Sequence, residues 1–371
     1  MKTLTLVSTG FRRPDRDELR RMELADQYPR TLLYEETLNS DILDEKFLDR
    51  IPRLRRILYK PLPMLIRQTI EAHVQRRRYD AIISWSESLG MLFALLLKCT
   101  FSRVPHVALF SWISKPKKAT LLRLTYSHMD RIVLWSSYQR DFAVHTLGIP
   151  QERIRFVRWG IDTQFFRPIS STTDMICSVG YEMRDYSTLI KAMGGLDIPC
   201  HIAAGTARVV VGAESVGSNP GCLPPNISVG KKSYIELRAL YTRCRFVIVP
   251  LDPASDTDNG ITAILESMAM GKAVICSKIK AQVDVIEDGR TGLYVPPKDP
   301  QALRSAILHL WNHPEIAQRI GKEARSHVEK NHSLGQFHAG IKGAVIDAIR
   351  MRTQNHLGGA SREVAEQSNV Q

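Results

Sequence analysis

The residues best equipped for chemistry lie between positions 247 and 277, in the stretch VIVPLDPASDTDNGITAILESMAMGKAVICS. Asp258 and Glu266 stand on either side of a segment that opens with Asn259, Gly260, Ile261 and Thr262. Carboxylates accept hydrogen bonds from sugar hydroxyls. A helix beginning after Gly260 would offer unpaired N–H groups and a positive dipole end, which suit a phosphate. Gly260 itself would let a ligand approach the backbone closely. On spacing alone, a solvated Glu266 and a helix-capping Asp258 explain the same pattern.

These residues need a scaffold, and the flanking sequence supplies one. Residues 246–249 form an apolar run closed by Pro250, and 273–276 form another. Between them Ile261, Ile264, Leu265, Met268 and Ala269 recur at i, i+3, i+4, i+7 and i+8, the buried face of a helix. Glu266 lies off that stripe. Gly271 stands where a left-handed residue ends a helix. Strand, helix and strand in this order predict a parallel crossover. Ligands of such sheets bind beyond the carboxyl ends of the strands.

The stretch resembles the nucleotide-sugar site of retaining glycosyltransferases with the GT-B fold, the group 1 family that includes glycogen synthases and many bacterial mannosyl- and glucosyltransferases. The shared pattern is an acidic pair with seven residues between its members, then small residues, glycine and a strand. Here Asp258 replaces the more usual glutamate, and Asn259–Gly260 replaces an aromatic-glycine pair. After a strand at 175–179, relatives carry a glycine, an arginine and a lysine, the last two facing the donor diphosphate. Gly180 matches the glycine, Tyr181 takes the arginine's place, and Arg184 best matches the lysine. A guanidinium can fork onto phosphate oxygens. The plainer reading of Arg184 is an ion pair with Asp185 at a helix start. Gly10 is what remains of a glycine-rich loop that faces the donor phosphate in relatives. Gly160, Ile161 and Asp162 resemble the turn that ends the family's first domain. Ser111 and Trp112 stand where relatives place a histidine near the sugar; His128 reads as structural and Arg140 as a surface residue.

The resemblance implies an α/β, GT-B architecture: two Rossmann-like domains with parallel sheets facing across a cleft. Residues 1–167 would form a basic, acceptor-side domain and 168–335 the donor-side domain. Residues 336–356 would be a helix crossing back to the first domain, and 357–371 a flexible tail. The implied activity is that of a retaining, hexosyltransferase-like enzyme acting on a nucleotide diphosphate-sugar and a sugar, lipid-linked or polymer acceptor. Asp258 would contact the transferred sugar and Glu266 the ribose hydroxyls. Arg184 and the N–H groups of Gly260, Ile261 and Thr262 would take up charge on the leaving diphosphate, with Asn259, Gly180 and Gly10 completing the donor site. No cofactor or metal is expected, because no acidic metal-binding triplet is visible. Two other functions fit the same fold: a nucleotide-sugar epimerase and a non-catalytic basic binding protein.

A chain of 371 residues suits two domains. Its net charge of +13 is uneven: residues 1–160 carry 28 basic and 17 acidic residues, and 161–371 carry 23 and 21. Within 50–78, nine basic residues meet a single acid, Glu71, and interleave with Ile51, Leu54, Ile57 and Leu58. Arg53, Arg55, Arg56 and Lys60 would suit an anionic membrane face; a core helix with a solvated basic face is the alternative. No nucleic-acid motif accompanies the charge, so no nucleic-acid partner is expected. The six cysteines are scattered, as in reduced cytoplasmic proteins. No signal peptide is expected after Lys2, and the longest apolar run, 91–97, is too short to span a bilayer. The expected location is cytoplasmic, peripheral on the inner membrane face where the basic stretch binds it. Residues 31–34 read as a second strand.

Overall fold

Short aliphatic and β-branched runs build two sheets, and amphipathic stretches between them build the crossovers, in this computed structural model. The structure describes residues 1–8, 14–204 and 223–368, without the side chains of Phe47 and 355–368. The chain divides into two units. The first comprises Met1–Asp15, Thr31–Val157 and His338–Gln371, the second Arg16–Arg30 and Arg158–Phe337.

The first unit holds β1 (Thr3–Val7), β2 (Ser40–Leu43), β3 (Ala81–Trp85), β4 (His106–Phe110), β5 (Arg131–Leu134) and β6 (Ile154–Phe156). They lie in the order β2-β1-β3-β4-β5-β6, and every pair is parallel. The second holds β7 (Met175–Val179), β8 (Cys200–Ala203), β9 (Ile227–Val229), β10 (Cys244–Val249), β11 (Ala273–Ser277) and β12 (Leu293–Val295). Their order is β12-β11-β10-β7-β8-β9, again all parallel. Parallel strands covered on both faces need continuous apolar sequence, and all residues of β4 and β11 are buried. Phe110, Ile132 and Leu134 lead one core; Phe246, Ile248, Ile275 and Leu189 lead the other. The predicted crossover holds: β10 and β11 pair in register Phe246 to Ala273, joined by the helix Ile261–Ala269.

Three stretches depart from the sequence expectations. Residues 31–34 are not a strand; a helix, Leu32–Leu38, occupies them. Leucine and glutamate favour helix, and left-handed Asn39 (φ 46°) closes it by donating to the carbonyls of Glu35 and Glu36, so β2 starts only at Ser40. The segment 357–371, expected as a tail, continues the helix Leu334–Ser368 as far as that last residue. Ile341, Ala344, Val345 and Ala348 are its buried stripe. Arg352 Nε lies 2.7 Å from Oδ1 of buried Asp130 in the same unit.

The third departure is Arg16–Arg30, which lies among the first 167 residues yet groups with the second unit. Arg30 fastens it there. Its Nη2 lies 2.6 Å from Asp162 Oδ1, its Nε donates to both carboxylate oxygens, and its backbone N–H donates to Oδ2 at 2.8 Å. Asp162 also accepts from the N–H groups of Gln164 and Phe165. Asp26 adds pairs with Arg167 at 2.7 Å and Arg238 at 2.9 Å. Removing one member of a buried pair strands the other charge. Because Arg30 is 36% exposed, Arg30→Ala is expected to cost about 2–3 kcal/mol, less than a fully buried pair would. Burial pushes the Asp162 carboxyl up, but the bonds from Arg30 and the backbone outweigh it and hold it below its usual range. The pair's contribution is therefore present above the unfolded carboxylate pKa near about 3.9 and lost as pH falls through the lower folded value. Urea unfolding should show the gap between parent and variant closing below about pH 4; a gap independent of pH would refute the assignment.

Candidate donor site of the second unit

The neighbours β7 and β10 run on, past their carboxyl ends, into loops that pair with each other. Asp185 N–H donates to the Pro250 carbonyl and Asp252 N–H to the Met183 carbonyl, both at 3.0 Å. Arg184 bridges Leu251 between them. This zipper carries the Arg184 guanidinium to two glycines in the left-handed region, Gly180 (φ +98°) and Gly260 (φ +92°). A Cβ on Gly180 would lie 2.5 Å from Arg184 Nη2, and one on Gly260 would lie 3.6 Å away. Arg184 Nε donates to the Val179 carbonyl at 3.1 Å and Nη1 to the Glu182 carbonyl at 2.9 Å. Among the described residues Nη2 has no hydrogen-bond partner, and no carboxylate forms an ion pair with the guanidinium. Burial lowers its pKa from the usual arginine value. A half-buried cation with a spare N–H beside a helix start is an anion receptor.

Arg184 and Asp185 do not pair. Asp185 instead caps the helix Tyr186–Met193, accepting from Thr188 N–H at 3.3 Å and from the hydroxyls of Thr188 and Ser187 at 2.6 and 2.8 Å. Lys298 Nζ lies 3.3 Å from Asp185 and 3.3 Å from Asp252, clamping both loops. Sequence reading missed Lys298, since no motif surrounds it. Its position two residues beyond Pro296, after the last strand, was the only pointer.

The helix Ile261–Ala269 begins at Gly260, its N-cap, so Asp258 does not cap it. Asp258 is buried; its backbone carbonyl accepts from Ile261 N–H at 3.1 Å and its carboxylate from Thr257 Oγ1 at 2.9 Å. Asn259 Nδ2 donates to buried Ser255 Oγ at 2.9 Å, which fixes the loop. Thr262 is the exposed residue of the helix. Alanine at Gly260 would strain the left-handed φ and bring a Cβ to 3.0 Å from Val249 Cγ1. Gly260→Ala is expected to cost about 1–2 kcal/mol and to weaken nucleoside diphosphate binding, read by thermal unfolding and calorimetry. Unchanged values in both would remove Gly260 from the site.

Glu266 is 4% exposed, so it is not the solvated residue that spacing alone suggested. The helix Pro314–Asn331 crosses so closely that a Cβ on Gly321 would lie 2.1 Å from the Gly271 carbonyl oxygen. Of the helix carrying Glu266, Thr262 alone stays exposed. Tyr241 Oη donates to Glu266 Oε2 at 2.9 Å. Burial pushes the Glu266 carboxyl up to about 8, opposed only in part by the Tyr241 hydrogen bond. Burial and the nearby Glu266 push the Tyr241 hydroxyl well above its usual value too.

Gly10 lies outside the described residues. In the first unit, Arg53, Arg56 and Lys60 are exposed on or just after the helix Arg53–Tyr59. Arg55 does not join them. Its Nη1 lies 2.7 Å from Oε1 of fully buried Glu71, which also accepts from Tyr59 Oη and Gln75 Nε2. A buried carboxylate needs a cation and donors, and Arg55 is the cation within reach. The Ser111 and Trp112 N–H groups donate to Glu87 Oε1 at 2.9 and 2.7 Å. Arg140 pairs with exposed Asp141 at 2.8 Å. Among the described residues no cluster of three His, Cys, Asp or Glu is placed to hold a metal ion, and no helix is long and apolar enough to cross a membrane.

Comparison with known proteins bears on the family and the fold. The family model "Glycosyl transferases group 1" matches residues 209–313, and "Glycosyltransferase Family 4" matches 23–165; together they take in more than half of the chain. The D-rhamnosyltransferase WbpZ of Pseudomonas aeruginosa is 40% identical over 65 residues, 17% of each chain. The matched stretches span between 17% and 28% of the first three curated relatives. Among solved structures, HepE of Anabaena in complex with UDP superposes with a TM-score of 0.67 at 17% identity, covering 93% of this chain and 99% of that one. Sucrose-phosphate synthase of Thermosynechococcus elongatus gives 0.68 at 16% identity, covering 97% and 100%. With two all-parallel sheets and these matches, the chain belongs to the group 1 glycosyltransferases of GT-B fold.

Proposed function

We propose that the protein transfers a hexosyl group from a nucleoside diphosphate-sugar to a hydroxyl of a sugar, lipid-linked or polysaccharide acceptor, with retention and without a metal ion. The observation that carries this reading is Arg184, whose Nη2 has no partner among the described residues and lies beside Gly180 and Gly260. The diphosphate occupies that receptor. The bond between the anomeric carbon and the diphosphate oxygen breaks, and the oxygen keeps the electron pair. The acceptor hydroxyl oxygen bonds to the anomeric carbon and passes its proton to the departing diphosphate oxygen. Arg184 and the N–H groups of Gly260 and Thr262 take up the charge that forms on the diphosphate; the Ile261 N–H, expected to join them, is held by the Asp258 carbonyl. Such fixed, desolvated donors do the work a metal does elsewhere.

Asp258 holds hydroxyls of the transferred sugar, and Glu266 with Tyr241 faces the ribose. Asn259 sets the loop. Retention rests on the family likeness; no carboxylate is assigned as a covalent nucleophile. HepE binds UDP, which supports a nucleoside diphosphate as the leaving group here without naming the base. The location is cytoplasmic, in keeping with the scattered cysteines.

The test is a panel of nucleoside diphosphate-sugars with simple acceptors. The expected result is release of the nucleoside diphosphate at a rate unaffected by a chelator. NMR of the product should show the same anomeric configuration as the donor. A requirement for added divalent metal would remove metal independence, and an inverted product would remove retention. No release from any donor, together with no thermal shift by any nucleoside diphosphate, would end the reading as a whole.

A further inference from the structure

The helix Arg53–Tyr59 of the first unit is amphipathic the wrong way round for a protein in water. Its inward side is Arg55, bound to buried Glu71, and Tyr59, packed with Leu48 and Ile51. Its outward side is apolar: Leu54, Ile57 and Leu58 are 71%, 59% and 62% exposed. They sit at i, i+3 and i+4, so they form one continuous patch. Met64 and Ile66, on the next helix, Met64–Gln75, are exposed too. An isolated exposed leucine needs no explanation, but a clustered apolar patch marks something that covers it.

The charge around the patch says what. Arg53, Arg56 and Lys60 are exposed around it, and the helix contains no acid. Among the described residues none of the three forms an ion pair. Arg56 Nη1 reaches only the Asp49 carbonyl, at 3.4 Å, which leaves its charge uncancelled. Glu71, the one acid in residues 50–78, is buried and already neutralised by Arg55. A protein partner would ordinarily need its own acids matched to these cations. A surface that is apolar at depth and anionic at its face matches cations flanking leucines without further design.

We propose that Leu54, Ile57 and Leu58 insert into the headgroup region of an anionic bilayer while Arg53, Arg56 and Lys60 pair with its phosphates. The assignment stands apart from the glycosyl-transfer reading, since it uses no residue of the donor site. It also revises the sequence expectation. Arg55 is taken up by buried Glu71, and three aliphatic side chains, rather than charge alone, anchor the protein.

Flotation of the full chain with phosphatidylcholine vesicles, with and without phosphatidylglycerol, tests it. The expected result is flotation with the anionic vesicles only. Replacing Arg53, Arg56 and Lys60 together by glutamine should weaken binding about 100-fold, at roughly five-fold for each basic residue. Replacing Leu54, Ile57 and Leu58 together by serine should weaken it about 10-fold or more, with the thermal midpoint and affinity for nucleoside diphosphate unchanged. Equal flotation of the serine variant would overturn insertion. Equal flotation on neutral vesicles would overturn the pairing with phosphates. No flotation of the parent, with concentration-dependent self-association abolished by the serine changes, would assign the patch to a second copy instead. No flotation and no self-association would end the proposal outright.

Discussion

Arg184→Ala is expected to lower kcat/KM for the nucleoside diphosphate-sugar by about 100- to 1,000-fold, the range found when a preorganised donor to a developing anion is removed. The magnitude follows from the environment. The guanidinium is held by two backbone carbonyls rather than by a carboxylate. Burial already disfavours its charge, and among the described residues no carboxylate forms an ion pair with it, so an arriving diphosphate meets a cation in need of an anion. Attraction in a desolvated site greatly exceeds that in water. Arg184→Lys should recover only part of the loss, since an ammonium cannot keep both carbonyl bonds and still present a donor to the ligand. Steady-state release of nucleoside diphosphate measures the effect. Calorimetry with the nucleoside diphosphate alone separates ground-state binding from turnover. A variant with parental kcat/KM would remove Arg184 from the reaction.

Glu266→Gln is expected to stabilise the fold and weaken the donor site together. With a folded pKa raised to about 8 by burial, against about 4.3 in an unfolded chain, the native protein keeps a proton that the unfolded chain releases. That contribution is fully present below about pH 4.3 and drains away as pH rises through the folded value. Glutamine cannot ionise, so the variant should exceed the parent by about 4–5 kcal/mol at pH 8 and match it at about pH 4. The ribose meets a different group, however. A carboxylate has two acceptor oxygens, one of them taken by Tyr241. Glutamine has one acceptor and an NH2, so one of the two contacts must be lost. Affinity for the nucleoside diphosphate should fall about tenfold or more. Urea unfolding at the two pH values and calorimetry at pH 8 check the pair of effects. Identical pH dependence in parent and variant would show that Glu266 carries no buried proton.

The crossover around the acidic pair was legible because every feature that makes it is local. Pro250 ends β10, apolar residues at helical spacing make one stripe, and Gly271, with its φ of +70°, stops the helix. The reading of residues 31–34 failed for a reason equally local: a short apolar run of this kind suits helix and strand alike, and only the left-handed Asn39 decides it. The exposed arginines and leucines of the helix Arg53–Tyr59 were visible as composition, but their sidedness was not. Which of four basic residues turns inward depends on where Glu71 is buried, on another helix.

The sequence by itself determined the kind of fold, the acidic pair and the cation suited to a diphosphate, because periodicity, turn residues and motif spacing are written along the chain. Only the tertiary structure decided what those residues can do. It buried Glu266 against the Tyr241 hydroxyl, and it gave Asp185 to Lys298 and a helix cap. It laid Arg184 against Gly180 and Gly260 through the pairing of two loops far apart in sequence. Burial and charge pairing are sums over neighbours from distant segments, and no local pattern contains them.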